Sequence, residues 1–234
     1  MTKSILGRTQ APTKQKPLKA LFYGPPGSGK TQLGATAPNP LVLDFEDGSM
    51  TIRDQAVDLF PIRKWEDVAD AWYTLATEGH SWKSVVVDTV SMMQEVASRE
   101  TKLLSDFTAG SDPRHSYGKI SAMMKDMIWK FALLPINVIF LAQLRIEDLE
   151  PGDKPEEGTY PLLPDVTPAV FKVLAAAPDV IGRTFVRNTP KGPIYGVSFG
   201  PDSRSVAKQR ALGLPPEVTG LTIPKLIEKI GGSK

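Results

Sequence analysis

The stretch Ala20–Gly34, ALFYGPPGSGKTQLG, decides how the chain is read. A short apolar run breaks into glycines and prolines, then a lysine and a threonine open a helix-compatible segment. Gly24-Pro25-Pro26-Gly27-Ser28-Gly29-Lys30-Thr31 fits the phosphate-binding loop pattern G-x-x-x-x-G-K-[ST]. Glycines let successive backbone N–H groups turn inward, and no Cβ keeps a phosphate away. The following helix adds its free N–H groups and the positive end of its dipole. Lys30 is placed to reach the β- and γ-phosphates of a nucleotide, and the Thr31 hydroxyl to ligate Mg²⁺. The strand-like run before the loop and the helical run after it are the context such a loop needs.

Outward from the loop, apolar runs alternate with periodic ones. Leu18–Tyr23, Leu41–Asp47 (LVLDFED), Ser84–Thr89 (SVVVDT) and Asn137–Arg145 (NVIFLAQLR) read as buried strands, with a short one near Leu59–Ile62. Helices are expected from Lys30 to Ala37, stopped by Pro38 and Pro40, and over Trp65–Leu75, Val90–Leu104 and the methionine stripe Ile120–Phe131. Ser105–Gly118 reads as a loop, and so does the acidic, Pro/Gly-rich segment 146–164. Thr167-Pro168 opens a helix to Ala177. A hairpin around Thr189-Pro190-Lys191-Gly192 and a last helix carrying Ile223, Leu226, Ile227 and Ile230 complete the chain. The alternation predicts an α/β fold: a mostly parallel central sheet flanked by helices, with an antiparallel C-terminal extension. Residues 1–17 read as a basic flexible arm and 18–234 as one domain.

The 234 residues carry a net charge of +2 and no cysteine, which excludes disulfides, thiol nucleophiles and cysteine metal sites. No apolar run approaches the ~20 residues of a membrane span, and the N-terminus lacks a secretion signal. A soluble cytoplasmic protein with access to ATP is expected. Lys3, Arg8, Lys14, Lys16 and Lys19 precede the first strand with no acid among them, a composition suited to a phosphate backbone.

Phosphoryl transfer needs a phosphate cradle, a metal, an oriented nucleophile and charge neutralisation on the γ-phosphate. Asp88 closes SVVVD, where an acid would serve Mg²⁺; Glu46, with Asp44 and Asp47 as competitors, ends LVLDFED, where a carboxylate would polarise a water. GPPGSGKT, LVLDFED, SVVVDTVSMM and VIFLAQLR, in that order, resemble the core motifs of RecA-type recombinase ATPases. The resemblance covers about residues 18–145 and implies a RecA-like P-loop core. It makes Glu46 the water-activating acid, Asp88 the metal residue and Gln143 the γ-phosphate sensor. SVAKQRALGLP, Ser205–Pro215, is similar to the Lys-x-Arg motif of RadA-like proteins and of the small phage annealing ATPases of the Sak group. There the two cations reach a neighbouring subunit's γ-phosphate, which makes Lys208 and Arg210 candidate fingers in trans.

The resemblance implies ATP and Mg²⁺ as cofactors and DNA-stimulated hydrolysis. It also implies single-stranded DNA as partner, annealing or strand exchange, a ring or filament of copies, and a single-strand binding protein. If a phage encodes the chain, the host cytoplasm is its compartment. The loop after Gln143 holds Glu147, Asp148, Glu150, Asp153, Glu156 and Glu157 against Lys154, so direct DNA contact is assigned instead to the arm and to Arg114, His115, Tyr117 and Lys119. Two rival readings are a P-loop nucleotide kinase, opposed by a 146–164 segment without arginine, and an accessory ATPase acting on a replication protein. In a third, ATP serves only as an assembly switch.

Overall fold

A computed structural model describes residues 16–106, 113–147, 161–200, 204–210 and 213–231. Five parallel strands form its centre: β1 (Lys19–Gly24), β2 (Pro40–Asp44), β3 (Asp58–Pro61), β4 (Ser84–Asp88) and the first part of β5 (Asn137–Ile146). β7 (Val180–Thr189) joins β1 in parallel on its other side and then turns back through β8 (Gly192–Ser198), so the central order is β8-β7-β1-β5-β4-β2-β3. The α/β class, the mostly parallel sheet and the antiparallel C-terminal extension are as the alternation predicted.

The sheet divides two apolar layers. On one face α2 (Trp65–Thr77), α3 (Val90–Asp106), α4 (Pro113–Ala132) and α5 (Pro168–Ala176) cover Leu21, Leu43, Val85, Val87 and Phe140. On the other, α1 (Lys30–Ala35) and α6 (Ile223–Gly231) cover Phe22, Val42, Val86 and Ile139. The alternate residues of each central strand therefore both face apolar layers, which is why these strands read as unbroken hydrophobic runs. The methionine stripe is core: Met124, Met127, Ile128 and Phe131 of α4 are buried. α6 is fastened to the end of α1, where the Ile223 N–H donates to the Thr36 hydroxyl at 2.9 Å.

Three expectations change. Helix α4 begins at Pro113, so Pro113–Gly118 is helical, not loop. Proline lacks only an N–H that a first turn leaves unpaired anyway, and Gly118 weakens a helix by only about 1 kcal/mol. Tyr117 is 68% exposed there, so it is not a core residue. Within the 146–164 segment, β6 (Leu162–Pro164) pairs antiparallel with the end of β5; its acids from Asp148 to Glu157 lie outside the described residues. Lys19 does not belong to a solvated arm: it starts β1, and its ammonium donates to the Leu134 and Ile136 carbonyls at 2.6 Å each. Burial lowers its pKa to about 8, partly offset by Asp179. Lys3, Arg8 and Lys14 lie outside the described residues. The short strands β9 (Lys208–Gln209) and β10 (Glu217–Thr219) were not foreseen.

Candidate nucleotide site

The loop Gly24–Thr31 joins the carboxyl end of β1 to α1. Two of its glycines are required by geometry. Gly29, the residue before α1, has φ +81°, a left-handed backbone that side chains disfavour. A Cβ on Gly24 would lie 2.0 Å from the Thr184 hydroxyl of β7. That buried hydroxyl is 2.7 Å from Ser28 Oγ, which donates to the Pro25 carbonyl. It also donates to the Tyr23 carbonyl at 3.3 Å, so β7 fixes both ends of the turn. Pro26 and Gly27 are exposed at the tip.

Lys30 is buried, and its ammonium donates to the Gly24 and Pro25 carbonyls at 2.9 Å each. Burial lowers its pKa, while the Asp88 and Glu46 carboxylates oppose the shift. The Thr31 hydroxyl donates to Asp88. Asp88 is level with Asp44 on β2 and Leu141 on β5, and Gln143 is level with Gly24. The ends of β1, β2, β4 and β5 thus bring the predicted loop, metal acid and sensor to one rim, where open parallel sheets hold their ligands.

The three carboxylates of LVLDFED separate by their partners. Asp44 accepts the Glu46 and Gly48 N–H groups at 3.1 and 3.2 Å, which fixes the turn. Asp47 pairs with Arg63. Glu46 Oε1 accepts from Gln143 Nε2 at 2.8 Å and from the Thr89 hydroxyl at 3.0 Å. Glu46 alone of the three is joined to the sensor strand.

Asp88 has its pKa pushed up to about 6, first by burial and then by the Glu46 and Asp44 charges, against the Thr31 hydrogen bond and Lys30. A raised carboxylate pKa means that the folded chain holds a proton the unfolded chain has released, so this group weakens folding as pH rises from about 4 to about 6. Without metal or nucleotide, Asp88→Asn is expected to raise the thermal midpoint at pH 8, by a stabilisation of roughly 2–3 kcal/mol, and to leave it unchanged at pH 4. Paired melts of the two proteins at both pH values check this; equal differences at the two pH values would contradict it.

Thr31 and Asp88 are hard oxygen donors, suited to Mg²⁺. Among the described residues no three acids or histidines gather to hold a metal by themselves.

Lys208 and Arg210 are not at this rim. Lys208 pairs with Ile181 near the start of β7, and its ammonium donates to the Ala175 and Ala176 carbonyls at the end of α5, both at 2.8 Å. Arg210 donates to Ala176 and to Asp179, both at 3.1 Å. Within the chain the pair caps α5, a favourable place for cations. The residue that sequence reading passed over is Tyr195 of β8. Its ring lies 3.2 Å from where a Gly29 Cβ would be. A tyrosine in the second arm of a hairpin carries no motif that would have drawn attention to it.

Two solved structures are similar to the chain at low identity. The flagellar accessory protein FlaH of Methanocaldococcus jannaschii is 8% identical, with 86% of this chain and 83% of that chain covered at a TM-score of 0.44. A KaiC-like protein of Pyrococcus horikoshii OT3 is 9% identical, with 76% of each chain covered at a TM-score of 0.45. No protein of curated function matches the chain. The family model described as AAA domain matches residues 16–211. With the phosphate loop at the head of that span and a single rim gathering its acids, the chain belongs to the AAA domain family of P-loop ATPases.

Proposed function

We propose that the protein is a Mg²⁺-dependent, DNA-stimulated ATPase of the small recombinase type. It binds single-stranded DNA and supports annealing or strand exchange from a ring or filament of identical copies. The observation that carries the reading is the Glu46–Gln143 hydrogen bond at 2.8 Å, on the rim that also holds Lys30, Thr31 and Asp88. It joins the acid suited to orienting a water directly to β5, whose last residues pair with β6. A change at the γ-phosphate therefore bears directly on β5.

The roles follow from the chemistry of each side chain. Backbone N–H groups of Gly27–Thr31 and the Lys30 ammonium bind the phosphates. Thr31 and Asp88 hold Mg²⁺, which when bound neutralises phosphate charge. The Glu46 carboxylate orients a water and accepts its proton. The Gln143 amide, which carries two N–H donors, donates one to Glu46 and has a second to offer the γ-phosphate, and so couples the two. A neighbouring copy's Lys208 and Arg210 complete the charge neutralisation. For DNA, the basic arm and the exposed Tyr117 and Lys119 at the start of α4 offer cations and a stacking ring.

Steady-state ATP hydrolysis with and without single-stranded DNA, across a salt series and with Lys30→Ala as the blank, tests the reading. Stimulation severalfold at low salt, fading as salt rises, is expected. Turnover indifferent to DNA at every salt concentration would refute the recombinase role and leave the nucleotide site standing.

A further inference from the structure

Tyr195 stands between two recesses. One, of about 290 Å³, opens over Gly27, Lys30, Thr31 and Thr51 and is the phosphate side. The other, of about 160 Å³, lies along α1 and is lined by Gln32, Leu33, Thr36, Val197 and Leu221. Both include Gly29, Gln32 and Tyr195. The second recess has no charged side chain in its wall. Leu33 and Val197 are buried in its floor, and Gln32 is the flexible amide at its mouth. It is thus unsuited to a phosphate or a metal and suited to a neutral, flat, weakly polar group carried by something whose charged end sits next door. Tyr195 is 44% exposed, although it is held on the hairpin beside the loop. An aromatic ring exposed at the junction of a charged and an uncharged recess is placed to be covered by a second ring.

We infer that Tyr195 is the base-stacking residue of the site, and that the recess along α1 takes the heterocyclic base of a nucleoside triphosphate. This rests on the nucleotide reading of the phosphate loop. Gln32, which carries both an amide donor and an acceptor, is the side chain available to read the base edge. Thr36 is already engaged, since its hydroxyl donates to the Leu33 carbonyl and accepts the Ile223 N–H.

The experiment is equilibrium binding of ATP and of inorganic tripolyphosphate, which has the charge and no base, to the wild-type chain, Tyr195→Ala and Tyr195→Phe. Tyr195→Ala is expected to weaken ATP about tenfold or more, as for loss of one base–aromatic stack, and to leave tripolyphosphate unchanged. Tyr195→Phe is expected to restore ATP to within about threefold of wild type, because the ring and not the hydroxyl stacks. Unchanged ATP affinity in Tyr195→Ala overturns the inference. Equal weakening of both ligands also overturns it, since the ring would then merely support the loop over Gly29. A wild-type chain that binds tripolyphosphate as tightly as ATP overturns it too. A wild-type chain that binds neither removes the nucleotide reading itself.

Discussion

Glu46→Gln is expected to lower ATP turnover at saturation by about a hundredfold or more while ATP still binds. The substitution keeps the size of the side chain and its ability to accept from Thr89 and Gln143, which now hold it at 3.0 and 2.8 Å. It removes the negative charge and the capacity to take a proton, and loss of a positioned general base is worth roughly 10²–10⁴-fold. The effect should fall on kcat and not on KM, as expected for a group that acts on the attacking water and not in binding ATP. Asp44→Asn is the contrasting control. Its carboxylate is occupied by the Glu46 and Gly48 backbone N–H groups, so its loss should lower the melting temperature and reduce turnover less. Single-turnover hydrolysis with a filter-binding assay for retained ATP separates the two. Undiminished turnover in Glu46→Gln would remove Glu46 from the chemistry and favour ATP as an assembly switch only.

The second large effect is expected in mixtures. Arg210→Ala alone should lower turnover about a thousandfold, the range in which cations supplied to a γ-phosphate in trans act. Mixed in equal amounts with the inactive Glu46→Gln, it should recover a measurable part of the activity. In mixed assemblies, some sites then combine an intact Glu46 from one copy with an intact Arg210 from the other. The structure gives this test its force: Lys208 and Arg210 lie near the start of β7 and grip the end of α5, whereas their own phosphate loop lies beyond the other end of the strand paired with β7. A purely structural role predicts lowered stability in Lys208→Ala and Arg210→Ala and no recovery on mixing.

The loop, its strand and its helix were legible because their chemistry is local. A G-x-x-x-x-G-K-[ST] run needs no distant residue to be recognised. The buried strands were legible because a parallel sheet covered on both faces leaves an uninterrupted apolar signature. What stayed hidden depended on pairing across the chain. Glu46 was favoured over Asp44 and Asp47 from its place at the strand end, but the separate partners of these carboxylates came to light only when Gln143 and Arg63 were seen to take one each. Lys19 looked like part of a basic run, and only the connection from α4 to β5 turns it into a half-buried donor. Pro113–Gly118 was read as part of a loop, although the first turn of a helix accepts Pro113 and the packing of the rest of α4 carries Gly118. Tyr195 gains its place from Gly29, more than a hundred residues earlier.

The position of β1 also bears on how the molecule comes into being. It is the first strand among the described residues, yet its two neighbours, β5 and β7, start at Asn137 and Val180. The helix that leaves the phosphate loop is closed at its far end by α6, through a hydrogen bond spanning 187 positions. During synthesis, which proceeds at about 5–20 residues per second, the motif made first has nothing to pair with for many seconds. Contacts so far apart in the chain also form late because the entropy of closing the intervening segment must be overcome first. The nucleotide site is therefore among the last parts of the protein to exist, and a nascent chain presents no finished cradle in which ATP could be turned over before the sheet has closed around it.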